Sequence, residues 1–563
     1  GTTVSGVASV PNLHLLSTSK AATVTSTVVT GAADEAIILS NASAQSGDVT
    51  ATYNGLEVIN FVAAGTTGLK TATVDNSLSL VSDALEKVVV TGDAAANVTV
   101  SLAGAALELQ TAEFDASAAG GAITAHVTKG ASATATVTMS AQNDYLDFNG
   151  ALASTITLDG GDGVDYLELD TSVAYSASAT AQSGSGVSNF EALRLASGVA
   201  VDERSLVNNA GITGLIAVAG GSYTKSTALA SITQLSAGTF TTTAATDGAA
   251  DTLTMNLIGA GVASTLSAAN VETLTVASGG IAANSLTMSA AGSADLTSIT
   301  AAGTMPLTVT VSGTGLATVN AAGLTGIGSL FTLTASASTA DMTVTGSPNR
   351  PVVSATGVAN DITVGDGDNT ITGGAYRDDI TSGDGDNTIT AGDGDNQITT
   401  GRGDDTITAG DGDNTIGAGA GDNTITAGDG NNGITTGSGD DTVTVGGTTT
   451  SALIMDVNTV GLGAGDDTYT GGAGRDIVTL GSGDDTVDTG AGADSIYMSD
   501  YDDDDVIGGG AGTDALSRVA LDSAVAQAIS GAQLQPVGAP VALSPGVTRT
   551  SSPVSTGVES VYI

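Results

Sequence analysis

Residues 379–410 read DITSGDGDNTITAGDGDNQITTGRGDDTITAG, and this stretch decides the fold. An aliphatic residue recurs at every ninth position, between loops of the type Gly-Asp-Gly-Asp-Asn. The series comprises Ile362, Ile371, Ile380, Ile389, Ile398, Ile407, Ile416, Ile425, Ile434 and Val443. After an interruption at 447–460 the period resumes at Tyr469, Val478, Val487 and Ile496, and then at Ile507 and Leu516. Internal repetition of this kind is typical of solenoid proteins.

A period of nine residues predicts a flattened coil of parallel strands. Each unit holds a short strand, such as Thr388-Ile389-Thr390, and a turn in which glycine supplies positive φ angles. Two units make one turn of the coil, so the aliphatic residue points inward and stacks on its copy about 4.8 Å away. The Asp-rich loops then form rows of carboxylates along both edges. These rows repel one another unless cations lie between them.

Charge and composition exclude several classes of protein. The chain has 13 Lys+Arg against 59 Asp+Glu, a net charge of −46, so we expect no binding to nucleic acid. It has no Cys and two isolated His, which leaves little for a nucleophile and its base, and we predict that the protein is not an enzyme. No apolar run is long enough for a transmembrane helix, so we expect none, and the segment GTTVSGVASV (1–10) shows neither the basic nor the apolar part of a Sec-type signal.

Amino-acid composition and residue pattern divide the chain into four regions. Residues 1–150 and 151–356 are rich in Ala, Thr, Ser, Val and Gly with frequent alternation, which predicts β-strands. We interpret them as a β-rich N-terminal region and a less regular β-solenoid or β-domain region. Residues 357–516 form the repeat block, and 517–563 a C-terminal β segment. The predicted fold class is all-β.

Two segments match the pattern Gly-Gly-x-Gly-x-Asp-x-U-x, with U aliphatic, at every position: GGDGVDYLE (160–168) and GGAGTDALS (509–517). The block at 360–500 matches it more loosely, for example in GSGDDTVDT (481–489). This pattern resembles the RTX repeat. The resemblance implies a right-handed parallel β-roll that binds several calcium ions, with the Asp at the sixth position of each repeat as a ligand.

Calcium takes six to eight oxygens from carboxylates and carbonyls, and glycine-bent turns expose carbonyls. Loops two units apart stack, which pairs Asp467 with Asp485 and Asp476 with Asp494. The earlier repeats often carry Asn at the sixth position, which predicts weaker calcium sites or, alternatively, metal-free stacking of the amides. The predicted metal-binding residues are Asp162, Asp165, Asp366, Asn369, Asp378, Asp384, Asn387, Asp393, Asn396, Asp405, Asp411, Asn414, Asn423, Asp429, Asn432, Asp441, Asp467, Asp476, Asp485, Asp494, Asp505 and Asp514.

The region before the repeats carries no catalytic or pore-forming pattern. Its Lys-poor, Ala/Thr/Gly/Val-rich texture resembles proteobacterial surface-layer (S-layer) proteins of the Caulobacter type. The resemblance implies type I secretion and a lattice of identical subunits that calcium closes on the outer face of a Gram-negative bacterium. It also implies a surface polysaccharide or lipopolysaccharide as a partner of another region, so we expect this chain to be the lattice-forming part.

Two further functions stay open at this point. An RTX adhesin or biofilm-matrix filament would use calcium to stiffen a stalk. A secreted enzyme that modifies polysaccharides would need an active site on the β-solenoid, for which the sequence shows no pattern. We expect the S-layer function, with the adhesin or filament as the alternative.

Overall fold

The chain winds as a coil in which alternate strands, and not consecutive ones, pair with one another in parallel. A computed structural model of the chain describes residues 111–518 apart from 130–133, 178–181, 210–211, 245–250, 290–292, 327–329, 349–358, 448, 452–453 and 499–504, and outside that range 2–7, 13–15, 22–28, 35–41, 49–54, 58–64, 76–82, 87–93, 95–102, 554–556 and 560–562. Across these residues the only helix is the short 3₁₀ turn Glu203–Ser205. None of them forms a helix long and apolar enough to cross a membrane. The all-β prediction is therefore confirmed.

Contacts divide the chain into two units, Gly1–Val271 and Glu272–Ile563, which we call the N-unit and the C-unit. Each unit is a parallel β-solenoid with strands on two sides, and the strands of each side form a ladder. The four regions distinguished in the sequence stay a prediction, and most of the segment 517–563 lies outside the described residues.

In the N-unit, the strands of the two sides alternate along the chain. The first ladder comprises Thr2–Val7, Ala22–Val28, Val49–Asn54, Asn76–Ser82, Ala96–Leu102, Ile123–Lys129, Tyr145–Asn149, Tyr166–Leu169, Ala192–Leu195, Gly214–Ala217, Ser231–Gln234 and Thr252–Leu257. The other side comprises Leu13–Leu15, Glu35–Asn41, Val58–Ala64, Lys87–Gly92, Thr111–Ala119, Thr134–Thr138, Ile156–Asp159 and Val187–Ser188, followed by a ladder of Ala200–Asp202, Gly221–Ser226, Gly238–Ala244 and Ala263–Ala269.

In the C-unit, the strands also alternate between two ladders. The first ladder comprises Thr273–Ser278, Ser298–Gly303, Thr318–Leu324, Thr343–Thr345, Thr370–Thr372, Thr388–Gly392, Thr406–Ala409, Thr424–Ala427, Thr442–Val445, Thr468–Thr470, Thr486–Asp488, Val506–Gly508 and Val554–Thr556. The second comprises Asn284–Met288, Leu307–Val311, Phe331–Ala335, Asn360–Val364, Asp378–Thr381, Gln397–Thr399, Thr415–Gly417, Gly433–Thr435, Val457–Gly461, Arg475–Thr479, Ser495–Met498, Ala515–Arg518 and Ser560–Tyr562. Ala491–Gly492 and Ala511–Gly512 form a separate short parallel pair.

The repeat block of the C-unit has the register that period nine predicts. Ile371 lies opposite Ile389, which lies opposite Ile407 and then Ile425, so one turn of the coil comprises two repeat units. All four side chains are fully buried. The threonines that flank them are exposed on the outer side. The core of the roll is therefore a stack of identical β-branched side chains, which suits a chain with few aromatic residues.

Glycine is required at the turns because successive loops lie in contact. Gly403 has a φ of +130°, and a Cβ added to it would lie 2.2 Å from the carbonyl oxygen of Gly385 one turn earlier. A Cβ on Gly481, where φ is not positive, would lie 1.2 Å from the carbonyl oxygen of Gly463. Backbone conformation and close stacking therefore both exclude side chains from the turns.

Most of the interruption at 447–460 lies outside the ladders, and its last four residues begin the ladder strand Val457–Gly461. Thr449–Ser451 and Ile454–Met455 pair as a small antiparallel hairpin. Across it Val443 lies opposite Tyr469, so this turn of the coil is longer than the two repeat units of its neighbours. The inserted residues therefore extend one loop without breaking the coil. Tyr469 then occupies an interior position that Ile or Val holds in the preceding turns, and it is fully buried.

The N-unit uses the same winding with unequal turns. In the first ladder, Leu146 lies opposite Leu167, Leu167 opposite Leu193, and Leu193 opposite Leu215, so the turns vary in length. All four leucines are buried. The alternation of Ala, Thr and Val therefore encodes a less regular β-solenoid here, one of the two architectures that the sequence left open.

Replacing Ile407 with Ala should lower the free energy of unfolding by about 3 kcal/mol, because the side chain is buried between its copies and the loss leaves a cavity. The matched control is Thr406→Ala on the same strand, where the exposed side chain should contribute less than about 0.5 kcal/mol. Urea unfolding in the presence of calcium, followed by circular dichroism, measures both. Equal losses in the two variants would contradict the inward stacking of the isoleucines.

Candidate metal centre

The sixth-position residues of the repeats form two stacked rows, one along each edge of the C-unit roll. The first row, which precedes strands of the first ladder, comprises Asn369, Asn387, Asp405, Asn423, Asp441, Asp467, Asp485 and Asp505. The second comprises Asn360, Asp378, Asn396, Asn414, Asn432, Asn458, Asp476, Asp494 and Asp514. All of these side chains are buried.

Within each row, one side-chain oxygen accepts a hydrogen bond from the backbone of the preceding turn. The N–H of Asp467 donates to Oδ1 of Asp485 at 2.9 Å, and the N–H of Asp476 donates to Oδ1 of Asp494 at 2.8 Å. The structure therefore stacks both pairs that the spacing of two units predicted. The same bond links Asp441 to Asp467 across the interruption, at 2.8 Å.

The second oxygen of several of these aspartates has no hydrogen-bond partner. Oδ2 is buried and unpartnered in Asp405, Asp441, Asp467, Asp476 and Asp494. A buried carboxylate oxygen without a partner is strongly unfavourable unless a cation lies against it. The geometry of the aspartate loops thus fits a bound cation.

The asparagines show which groups surround that second oxygen. Nδ2 of Asn387 donates to the carbonyls of Gly385 at 2.8 Å and Gly383 at 3.3 Å, and to Oδ1 of Asp405 at 2.9 Å. An aspartate in the same position places an oxygen, in place of the amide, against the carbonyls two and four residues earlier. A cluster of carboxylate and carbonyl oxygens is the ligand set that calcium, a hard cation, prefers.

The predicted asparagine sites have an amide group where the aspartate sites have the unpartnered oxygen. The amide groups of Asn369, Asn387, Asn396, Asn414, Asn423 and Asn432 all donate to the two glycine carbonyls of their own loop and to the side chain one turn later. In Asn396 these distances are 2.9, 3.0 and 3.0 Å. The hydrogen bonds favour the metal-free alternative for these loops.

The third-position aspartates lie outside the buried rows. Asp162, Asp366, Asp384, Asp393 and Asp411 are exposed and Asp429 is half-buried. Oδ1 of Asp366 accepts from the N–H of Asp384 at 3.0 Å, and Oδ1 of Asp393 accepts from the N–H of Asp411 at 3.2 Å. In the C-unit these side chains therefore tie successive loops together at the surface. Their predicted role as ligands stays a prediction.

Fifth-position aspartates, which the sequence analysis did not single out, form a further exposed row beside the first edge. Oδ1 of Asp386 accepts from the N–H of Asp404 at 2.8 Å, and Oδ1 of Asp404 accepts from the N–H of Asp422 at the same distance. The recurrence of Gly-Asp-Gly-Asp in the loops could have predicted this row from the sequence. Two exposed rows of carboxylates thus accompany the buried row.

Burial changes the proton affinity of the aspartates. Burial, together with the charges of neighbouring carboxylates, raises the pKa of Asp467 and of Asp476 to about 6. Burial also raises the pKa of Asp441 and of Asp494. For Asp378 burial raises the pKa to about 6, although Oδ1 accepts from Asn360 and Oδ2 from the N–H of Gly374 at 2.7 Å. Asp378 therefore has partners for both oxygens within the protein.

The isolated repeat in the N-unit has a similar buried carboxylate. Oδ1 of Asp165 accepts from the N–H of Asp144 at 2.7 Å, and Oδ2 is buried without a hydrogen bond. Burial, followed by the charges of Asp144, Glu191 and Asp159, raises the pKa of Asp165 to about 7. These charges make the site attractive to a cation.

Sequence reasoning missed Asn360 and Asn458 of the two rows, and Asp144 beside Asp165 in the N-unit. Asp144 and Asp165 each begin the tripeptide Asp-Tyr-Leu. The loop before Asp144 lacks glycine, so this shared tripeptide was the only sequence signal for Asp144. Asn360 and Asn458 lie in the rows, but one stands before the first repeat and the other at the end of the interruption.

Side chains alone do not assemble a metal site. In the part of the chain that the structure describes, no three His, Cys, Asp or Glu side chains form a group that could hold a metal ion. An ion in the stacked loops would therefore take most of its oxygens from backbone carbonyls, as glycine-rich turns allow.

Asp467→Asn should remove about one calcium ion from the stoichiometry, because the variant amide takes the place of the unpartnered oxygen. The same change should stabilise the calcium-free protein by about 1–2 kcal/mol, because it removes a buried charge and adds a donor. Isothermal titration calorimetry and urea unfolding without calcium measure the two effects. The control is Asp466→Asn on the exposed side of the same loop, which should change neither quantity. A full set of ions in Asp467→Asn would contradict the assignment.

The stability of the calcium-free protein should fall as the pH rises from about 4 to about 7. Asp165, Asp467 and Asp476 have pKa values of about 6 to 7 in the folded protein against an ordinary value of 3.8, so they bind protons more tightly when folded. Their stabilising effect is complete below the ordinary pKa and is lost as the pH passes the raised values. Thermal unfolding of calcium-depleted protein at several pH values checks this. A higher unfolding temperature at pH 7 than at pH 5 would contradict it.

Comparison with known families agrees with the geometry. The family model of the RTX calcium-binding nonapeptide repeat, which spans four copies, matches residues 363–398, 381–416, 390–425, 408–443 and 462–496. No curated protein matches the chain. The matched ranges contain most of the two buried rows of the C-unit, and they end before the interruption and resume after it. The chain therefore carries RTX calcium-binding nonapeptide repeats, folded as a parallel β-roll.

Proposed function

We propose that this protein is a secreted structural protein that calcium folds and that assembles with copies of itself into a cell-surface lattice. The observation that carries the proposal is the row of buried, unpartnered carboxylate oxygens in stacked loops that match calcium-binding repeats. The resemblance of the sequence to S-layer proteins supports the second part of the proposal, assembly into a lattice. The RTX repeats also support an extracellular location, since calcium there reaches millimolar concentrations at which such sites fill.

Calcium acts in this proposal by neutralising charge at the moment of folding. Residues 361–514 contain 31 Asp, no Glu and 3 Arg, a net charge of −28. Without cations, the stacked carboxylates oppose the closed roll. Ions that bind only the folded form stabilise it in proportion to the logarithm of their concentration. The aspartate loops take these ions, whereas the asparagine loops close through their amides and need none.

One side of the roll has a surface that is suited to the proposed contacts between copies. Six consecutive strands of the first ladder, from Thr370–Thr372 to Thr468–Thr470, present two rows of exposed threonines and no charged residue. The loops at the edges carry the exposed aspartates described above. Copies that approach through the threonine side avoid the repulsion between their acidic edges, and calcium can bridge edges that meet.

The alternative is an RTX adhesin or a biofilm-matrix filament. It is supported by the same regular roll, because calcium between successive turns would stiffen a stalk as well as a lattice subunit. The two functions differ in what calcium does to the association of copies. A lattice protein forms sheets, whereas a stalk remains a monomer.

Negative-stain electron microscopy of the purified protein, in millimolar calcium and then in excess chelator, should show ordered sheets that dissolve on chelation. The expected control is a variant with Asp467, Asp476, Asp485 and Asp494 replaced by Ala, which should form no sheets at any calcium concentration. Rod-like monomers in calcium would favour the adhesin or filament. Sheets that persist in excess chelator would contradict calcium-dependent assembly.

A further inference from the structure

The outer side of the N-unit's first ladder carries a row of charged residues in register. His126, Asp147, Glu168 and Arg194 lie opposite one another on four successive strands. Glu168 and Arg194 carry opposite charges and can pair across the strands, whereas Asp147 and Glu168 carry like charges. In a chain with only 13 Lys+Arg, such a row stands out from the surrounding Thr and Ser.

Hydrogen bonds connect this row to a neighbouring tyrosine. His126 Nδ1 lies 2.9 Å from Oδ2 of Asp147. The hydroxyl of Tyr145 donates to Oε2 of Glu168. Arg194 Nη1 donates to the hydroxyl of Tyr145 at 2.9 Å and to Oε2 of Glu168 at 3.2 Å. Donors and acceptors are therefore held side by side on a rigid sheet.

A groove of about 410 Å³ lies beside this network. It is lined by Tyr145, Tyr166, Arg194, Ile216, Leu235 and Ile258, among others. Tyr145 and Tyr166 lie opposite each other on adjacent strands, and Ile258 is 48% exposed. The groove is shallow and open, and it combines an apolar floor with a few fixed polar groups.

The aromatic residues of the chain are distributed in a way that marks this groove. All six phenylalanines are buried, as are Tyr223 and Tyr469. Tyr145 and Tyr166 instead face outward next to each other, together with two isoleucines. The core accounts for the first group, whereas nothing in the packing of the solenoid requires the second.

We propose that this groove binds a neutral polysaccharide. A sugar ring has an apolar face of C–H groups, which packs on tyrosine and isoleucine, and a rim of hydroxyls that both donate and accept. The Arg194–Glu168 pair offers a donor and an acceptor to adjacent hydroxyls. An acidic polysaccharide is disfavoured, because Arg194 is already paired with Glu168 and the chain carries a net charge of −46.

This site does not rest on the calcium-dependent function, since no groove residue is a predicted ligand. Asp165, however, directly precedes Tyr166 in the sequence. Binding is therefore measured at constant millimolar calcium, which keeps any effect of the ion on the strand the same in all samples.

Native affinity electrophoresis in gels that contain dextran, galactomannan or a mixed-linkage β-glucan tests the proposal, with alginate as the acidic probe. At least one neutral polysaccharide should retard the protein. Tyr166→Ala and Ile258→Ser should each weaken that binding about tenfold or more. Tyr376→Ala, which removes an exposed tyrosine of the C-unit, is the matched control and should change nothing.

Ile258→Ser separates a binding defect from a folding defect, because the side chain is half exposed and its loss should leave the circular dichroism spectrum unchanged. Retardation by alginate alone, or by none of the polysaccharides, would overturn the proposal. So would neutral binding that Tyr166→Ala and Ile258→Ser leave intact.

Discussion

The register of two repeat units per turn is the constraint on which the roll depends. It places each residue type directly against its own kind in the next turn, about 4.8 Å away. For isoleucine this arrangement gives a continuous core, and for threonine it gives a regular outer surface. For aspartate it brings like charges together in a buried position, where each must find a counterion or give up its charge.

Asparagine and aspartate are two solutions to that problem with almost the same shape. In Asn387 the amide fills the space between the loops and satisfies two carbonyls, whereas in Asp467 an oxygen faces the equivalent place without a partner. The exchange of one atom therefore decides whether a turn is complete by itself or depends on an ion. The fold tolerates both because Oδ1 of Asn387 accepts from the N–H of Asn369 just as Oδ1 of Asp467 accepts from the N–H of Asp441.

Much of this could be predicted from the sequence, because period nine fixes the strands, the interior residues and the loops that stack. The pairs Asp467–Asp485 and Asp476–Asp494 follow from it directly. Asn458 was not predicted, because the inserted residues change the nine-residue spacing in the sequence while the strands keep their pairing in the coil. The groove beside Arg194 was beyond sequence reasoning, since unequal turns of the N-unit bring Tyr145, Glu168 and Arg194 together and no fixed spacing relates them.

The second edge of the roll contains four consecutive asparagines, Asn396, Asn414, Asn432 and Asn458, followed by Asp476 and Asp494. Solenoids behave as one-dimensional systems in which folding starts at the most stable turns and spreads to their neighbours. On this edge the asparagine side chains complete their hydrogen bonds without ions, whereas Asp405 and Asp441 lie on the other edge of the same turns. We therefore expect the second edge of these turns to order first as calcium is raised, and the C-terminal turns, which carry aspartates on both edges, to order last.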